Sequence, residues 1–154
     1  DKQFIVNFMH FTTGMCTIQK DIYGSQVSDK DTTRKIKWKI TGETRDIAGY
    51  TCRRANGIIM DSIYVVAFYT DKIRVSSGPE SFNGLPGMIL GIALPHENIT
   101  WYATKVTDVA VPPATIVPPK KGRVVNNIQL KEELKQSMRN WGEAGPYEMK
   151  IYLL

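Results

Sequence analysis

"SSGPESFNGLPGMILGIALP", residues 76–95, sets glycines at 78, 84, 87 and 91 and prolines at 79, 86 and 95 around a nearly uncharged core. It admits three readings: a phosphate cradle, a catalytic loop, or a turn that feeds a buried strand. A cradle needs its glycines followed by a helix whose N-terminus faces the anion. Gly84, Gly87 and Gly91 fit neither GxxxxGK[ST] nor GxGxxG, and "MILGIAL" has the length and composition of a strand. A nucleophile elbow is also missing, and His10 and His96 are the only histidines a triad could use. The structural reading remains. Gly78 and Pro79 start a turn, Phe82 anchors it, and Gly84, Pro86 and Gly87 make a second turn before residues 88–94 enter a sheet. Gly91 then marks a bulge or a closely crossing neighbour.

Outward from this loop, the pattern predicts a mainly β (α+β) fold: a single antiparallel, curved sheet with one C-terminal amphipathic helix. Upstream, "SIYVVAFYT" carries apolar residues on both faces and belongs in the middle of the sheet. "RKIKWKITGE" alternates, with Ile36, Trp38 and Ile40 on one face and Lys35, Lys37 and Lys39 on the other, as in a half-buried strand. Asn56-Gly57 is a favoured hairpin dipeptide between strands over 50–55 and 62–70. Nearer the start, "FIVNFMHF" and "GMCTIQKDIYG" pair as a hairpin, and the polar "SQVSDKDTT" is expected as a loop.

Downstream, "ITWYATKV" reads as a further strand, and the paired prolines of residues 109–123 make an extended strap that cannot complete a ladder. "NNIQLKEELKQSMRNWGEAGP" is the helix: Asn126 or Asn127 caps it, Leu130, Leu134, Met138 and Trp141 share a face, and Gly142 suits its C-terminal end. "YEMKIYLL" is expected to close the chain as a strand.

Size and composition agree with one domain over residues 1–154, since 154 residues that are 42% hydrophobic and 23% charged suffice for a single core. Twenty Lys and Arg against fifteen Asp and Glu give a net charge of +5. Alternating strand lysines form a solvated face, and no arginine-rich run interleaved with stacking aromatics points to nucleic acid. No apolar window approaches the roughly 18 residues of a membrane helix. "DKQF" lacks the basic, apolar, small-residue order of a signal peptide. Cys16 and Cys52 lack CxxC spacing, which leaves two readings open: one disulfide, or two separate buried thiols.

Several segments in the same order carry a family resemblance. "GPESFNGLPGMILGIA" resembles the signature of the GLPGLI family of Bacteroidetes envelope proteins, with Met88 where the eponymous motif has Leu. "WKITGETRDIAGYTCRRA", "VVAFYTDKIRVSSGP" and "ITWYATKV" resemble flanking segments of that family, so the likeness covers residues 36–107. Phe68, where many members have Trp, and Arg74, where Pro is frequent, depart from it. The resemblance implies a β-rich domain exported to the periplasm or the outer-membrane side of the envelope, and an N-terminal portion with a signal peptide preceding the region seen here. It implies no established activity and no cofactor. One strand is also similar to segments of lipoprotein carriers, which have a curved sheet over helices.

Three function classes follow. The first is a non-catalytic envelope protein that binds a partner protein or an apolar ligand through its sheet, with Tyr69, Glu80, Phe82 and Leu85 as the candidate patch. The second is a soft-metal (copper) binding protein using His10, Met15 and Cys16, whose imidazole, thioether and thiol suit such ions. The third is an envelope hydrolase using Asp71, Glu80 or His96 for acid–base work.

Overall fold

The computed structural model describes residues 5–154, so the start of the first expected extended segment, at Phe4, lies outside the described residues. In chain order the strands are β1 (Val6–His10), β2 (Met15–Ile22), β3 (Ser25–Thr32), β4 (Lys39–Ile47), β5 (Tyr50–Ile59), β6 (Ile63–Thr70), β7 (Met88–Leu94), β8 (Ile99–Tyr102) and β9 (Arg123–Val125), followed by helices α1 (Asn127–Ser137) and α2 (Ala144–Leu153). The fold is mainly β, as the pattern predicts. No helix among the described residues is long and apolar enough to cross a membrane.

The strands make two sheets, not the one expected, and the chain falls into two compact units: the chain up to Thr33 with Val111–Leu154, and Arg34–Ala110. Residues 33–38 carry no ladder. They keep the expected alternation, with Ile36 and Trp38 half-buried and the lysines exposed, but the strand itself begins only at Lys39.

The unit Arg34–Ala110 is an antiparallel meander in the order β4-β5-β6-β7-β8. β6 lies third of the five strands, as its two apolar faces require, with Ile63, Val65, Val66, Ala67 and Tyr69 buried. The β5–β6 turn is at Met60 and Asp61, not at Asn56-Gly57. Both turn residues have positive φ, 50° and 60°, and the Ser62 N–H donates to the Ile59 carbonyl at 3.3 Å, the geometry that matches strand twist. Gly57 stays within β5 because a Cβ there would lie 3.0 Å from both Ile36 and Trp38. Its role is close approach, not turning. A register shift sits between Phe68 and Tyr69 opposite β7, next to Gly91, whose Cβ would fall 2.7 Å from the Tyr102 ring. Both features expected of Gly91 are therefore present.

In the other unit, β1, β2 and β3 form an antiparallel sheet, and β9 joins β3 in parallel. The polar "SQVSDKDT" is thus a strand. It is held on both edges, and Val27, Ser28 and Asp29 are buried. In neighbouring β2, Lys20, also buried, donates from Nζ to the Tyr152 carbonyl of α2 at 2.6 Å. The strap has no strand before β9 and only a 3-10 turn at Pro113–Thr115, and it leaves Val109, Val111, Ile116 and Val117 exposed.

α1 begins as its sequence predicts. The Asn126 side chain accepts from the Gln129 N–H at 2.8 Å, and Gln129 Oε1 accepts from the Asn126 N–H at 3.1 Å, a complete capping box. Leu130, Leu134 and Met138 bury against Val27 and Val125. Trp141 does not join them: it lies beyond the helix and is 43% exposed. Asn126→Ala should lower stability by about 1 kcal/mol in urea unfolding, and Asn126→Asp should retain most of it.

The expected closing strand is α2. Met149, Tyr152 and Leu153 pack on the Val27–Leu134 cluster. Their spacing is helical, although Met149, Ile151 and Leu153 also alternate, which makes the sequence ambiguous. Pro146 is tolerated because the first helical turn needs no N–H donor there.

Candidate functional site

The signature loop between β6 and β7 is a built turn, as expected. The Phe82 N–H donates to the Pro79 carbonyl at 3.1 Å, the Gly84 N–H to Ser76 Oγ at 3.1 Å, and Trp38 Nε1 to the Asn83 carbonyl at 2.8 Å. Gly84 has φ +93°, and Glu80, not a glycine, holds φ 51°. Gly78 fits against Ile89, where a Cβ would approach to 2.7 Å. At Gly87 a Cβ would land on the Thr70 carbonyl, 2.7 Å from its carbon and 3.0 Å from Asp71 Cα. Pro86 is exposed between them.

The candidate patch does not form a surface. Tyr69 and Leu85 are 2% exposed and Phe82 is 0% exposed, leaving only Glu80 half-buried. Apolar residues flanked by tight turns are drawn into the core, and the turn that anchors Phe82 also hides it.

The soft-metal set is split by strand geometry. His10 and Met15 pair directly across β1 and β2, and Met9 pairs with Cys16. Successive strand residues face opposite sides, so Cys16 points away from the face that carries His10 and Met15. Cys16 Sγ instead donates to Asn7 Oδ1 at 3.1 Å, and His10 Nδ1 accepts from the Thr13 N–H at 3.3 Å. Among the described residues no three His, Cys, Asp or Glu side chains group as a metal site.

Both thiols are free and buried, Cys16 in one unit and Cys52 in the other. Burial pushes the Cys16 thiol up to about 11, with Asp29 adding to the effect and Lys20 opposing it; burial also raises Cys52, with Asp46 contributing.

The hydrolase candidates are dispersed. Asp71 lines a cleft of about 550 Å³ with Lys72, Arg74, Ser76, Pro86 and Gly87, whereas Glu80 and His96 are not among its walls. His96 is exposed, with its ring centroid 6.4 Å from that of Tyr64.

The site that the fold does assemble is a basic groove of about 700 Å³ in the unit Arg34–Ala110. Arg34, Lys35, Lys37 and Lys39 line it, and its apolar contribution comes from the β5–β6 hairpin through Ile58, Ile59, Met60 and Tyr64. Ile58 and Tyr64 are directly opposed across the strands and project from one face. Ile58 is 61% exposed, high for a β-branched residue next to four cations. Asp61 is the one carboxylate among the lining residues.

Arg54 braces this face. Its guanidinium donates to Asn56 Oδ1 at 3.1 Å and to Glu43 Oε2 at 2.6 Å. Its pKa is raised by the hydrogen bond to Glu43 and then by one to Tyr64, so it links the groove residues Asn56 and Tyr64 to Glu43 outside the groove.

The sequence marks the lysine alternation but assigns it to a solvated face. Ile58, Met60 and Tyr64 escape notice because the hairpin is expected to turn four residues earlier, at Asn56-Gly57.

A family of proteins of unknown function, Porph_ging, matches residues 58–91, from the end of β5 through β6 and the signature loop into β7. No curated protein matches the chain in sequence. Among solved structures the chain is similar to PNGF-II in a P21 crystal form, with a TM-score of 0.55 and 19% identity over 86% of this chain and 25% of that one. A C2 crystal form of PNGF-II gives a TM-score of 0.58 and 20% identity with the same coverage. The chain spans a quarter of the length of those chains, so the likeness is one of fold. It is thus similar over residues 58–91 to a family of unknown function, and in fold to one part of PNGF-II.

Proposed function

We propose that this chain is a non-catalytic binding module of the GLPGLI type, working in the periplasm or on the outer-membrane side of the envelope, and that its sheet receives an acidic segment of a partner protein. The family and location rest on the ordered motifs of residues 36–107, whose signature loop falls inside the stretch matched by the Porph_ging family. The binding role rests on one observation: four cations rim an open groove whose apolar side exposes Ile58 and Tyr64.

Such a groove suits an extended segment that alternates carboxylates with apolar side chains. The carboxylates meet the lysines, steering encounter and fixing orientation, while an apolar side chain covers Ile58. An apolar ligand alone would leave the cationic rim without a counterpart.

The test uses a fluorescent peptide of alternating glutamate and leucine. Binding is expected to weaken as salt rises, and to fall at least tenfold when Lys35, Lys37 and Lys39 are all changed to Glu. These side chains are exposed, so the variant should keep the parent's unfolding midpoint. Equal peptide affinity in parent and variant would refute the proposal.

A further inference from the structure

In the unit formed by the chain up to Thr33 and Val111–Leu154, the helices α1 and α2 border a second cleft, of about 460 Å³. Met138, Pro146 and Met149 provide its apolar lining, and Lys131, Lys135 and Arg139 line it as well. The cations recur every four residues, which puts them on one stripe along α1 and the turn after it. All three are exposed. Among the described residues no carboxylate lines this cleft. Gly145 keeps it open at its base, where a Cβ would stand 3.0 Å from the Met138 carbonyl.

Aromatic residues with polar tips surround it in the chain. Trp141 and Tyr147 are 43% and 44% exposed on either side of Gly145. Tyr23, 51% exposed at the β2–β3 turn, sets its ring edge-on to Trp141 with centroids 5.3 Å apart. Tyr23 does so at φ 51°, a conformation that a bulky residue adopts at a cost and that the turn imposes.

Cations in a stripe, indole and phenol rings at the margin and a floor of flexible thioethers correspond, part by part, to a lipid–water interface. Cations meet phosphates, amphipathic rings sit at headgroup level, and methionines adapt to an acyl chain. We infer that this end of the unit docks on an anionic bilayer, with the cationic stripe on lipid phosphates and the cleft receiving part of one acyl chain. The site is separate from the β-sheet groove in position and in ligand. Glu143 and Glu148 lie on the same turn and helix but outside the cleft, so they temper the positive field without occupying the site.

The test is co-sedimentation of the full chain with phosphatidylglycerol vesicles and, separately, with phosphatidylcholine vesicles. Strong binding is expected only to the first, and it should weaken with salt. Changing Lys131, Lys135 and Arg139 together to Gln should lower partitioning about a hundredfold, while the Lys35, Lys37 and Lys39 charge reversal should leave most of it. In the unmodified chain, brominated phosphatidylglycerol should quench tryptophan fluorescence, and Trp141→Phe should remove most of that quenching. Equal binding to both lipids, no binding to either, or undiminished binding by the Gln variant overturns the proposal. So does quenching that survives in Trp141→Phe, or an acidic protein partner that competes with the vesicles at this stripe while Trp141 stays unquenched.

Discussion

Phe82→Ala is expected to lower stability by about 3–5 kcal/mol, read from the midpoint of urea unfolding followed by tryptophan fluorescence. Phe82 is 0% exposed and its ring centroid lies 6.2 Å from that of Trp101, so truncation leaves a cavity in the unit that also holds Trp38. The loop around Phe82 is tied by hydrogen bonds from Asn83 Nδ2 to the Ser81 carbonyl and from the Gly84 N–H to Ser76 Oγ, which limits its collapse into that space. Phe82→Leu, closer in volume, should cost less than about 1.5 kcal/mol. The pair decides between a core residue and a recognition residue. A recognition residue would lose binding in both variants with little change in the unfolding midpoint; a core residue loses midpoint in proportion to volume.

Gly87→Ala should be at least as damaging, about 4 kcal/mol or more, because the added methyl meets backbone and not a side chain that can rotate away. The Thr70 carbonyl and Asp71 Cα that it would strike belong to the end of β6 and the residue after it. Gly87 is itself held by its N–H, which donates to the Leu85 carbonyl at 2.8 Å. Gly84 is the internal control: a Cβ there would find Trp38 Nε1 no nearer than 3.5 Å, so Gly84→Ala carries only the strain of φ +93°, about 1–2 kcal/mol. Equal losses at the two positions in urea unfolding would show that the clash at Gly87 is relieved by a shift of the loop, and would remove its assignment as a close-approach glycine.

Legibility in this chain follows the range of the interactions. Where a residue's own backbone limits or its nearest neighbours decide the outcome, the reading holds. Pro79 and Pro86 fix φ locally, Gly84 admits the positive φ of 93° that the turn takes, and the loop turns where they stand. Asn126 and Gln129 are three residues apart, and their reciprocal bonds start α1 at that point. β6 is apolar on both faces, and only a central strand accommodates that.

The reading fails where distant partners arbitrate. Tyr69, Phe82 and Leu85 look like a patch because the loop is short and rich in turns, yet burial gives each a larger return than exposure. Of the candidate site, the lysine row is visible in advance, but the hairpin that faces it is not, since Gly57 resembles a turn residue until Ile36 and Trp38 are seen against it.

By itself, then, the sequence determined a mainly β fold, the turn at residues 78–87, the capped start of α1 and the alternation of Lys35, Lys37 and Lys39, all through contacts within a few residues. Tertiary structure alone decided that a polar segment becomes β3, that the closing segment coils as α2, and that the strands divide into two sheets. It also decided which cations share a groove with Ile58 and which share a cleft with Met138. The physical reason is common to these cases. A strand's edges, and the faces of a short helix with mixed periodicity, acquire their free energy from partners that the chain supplies tens of residues away, and no local pattern carries that information.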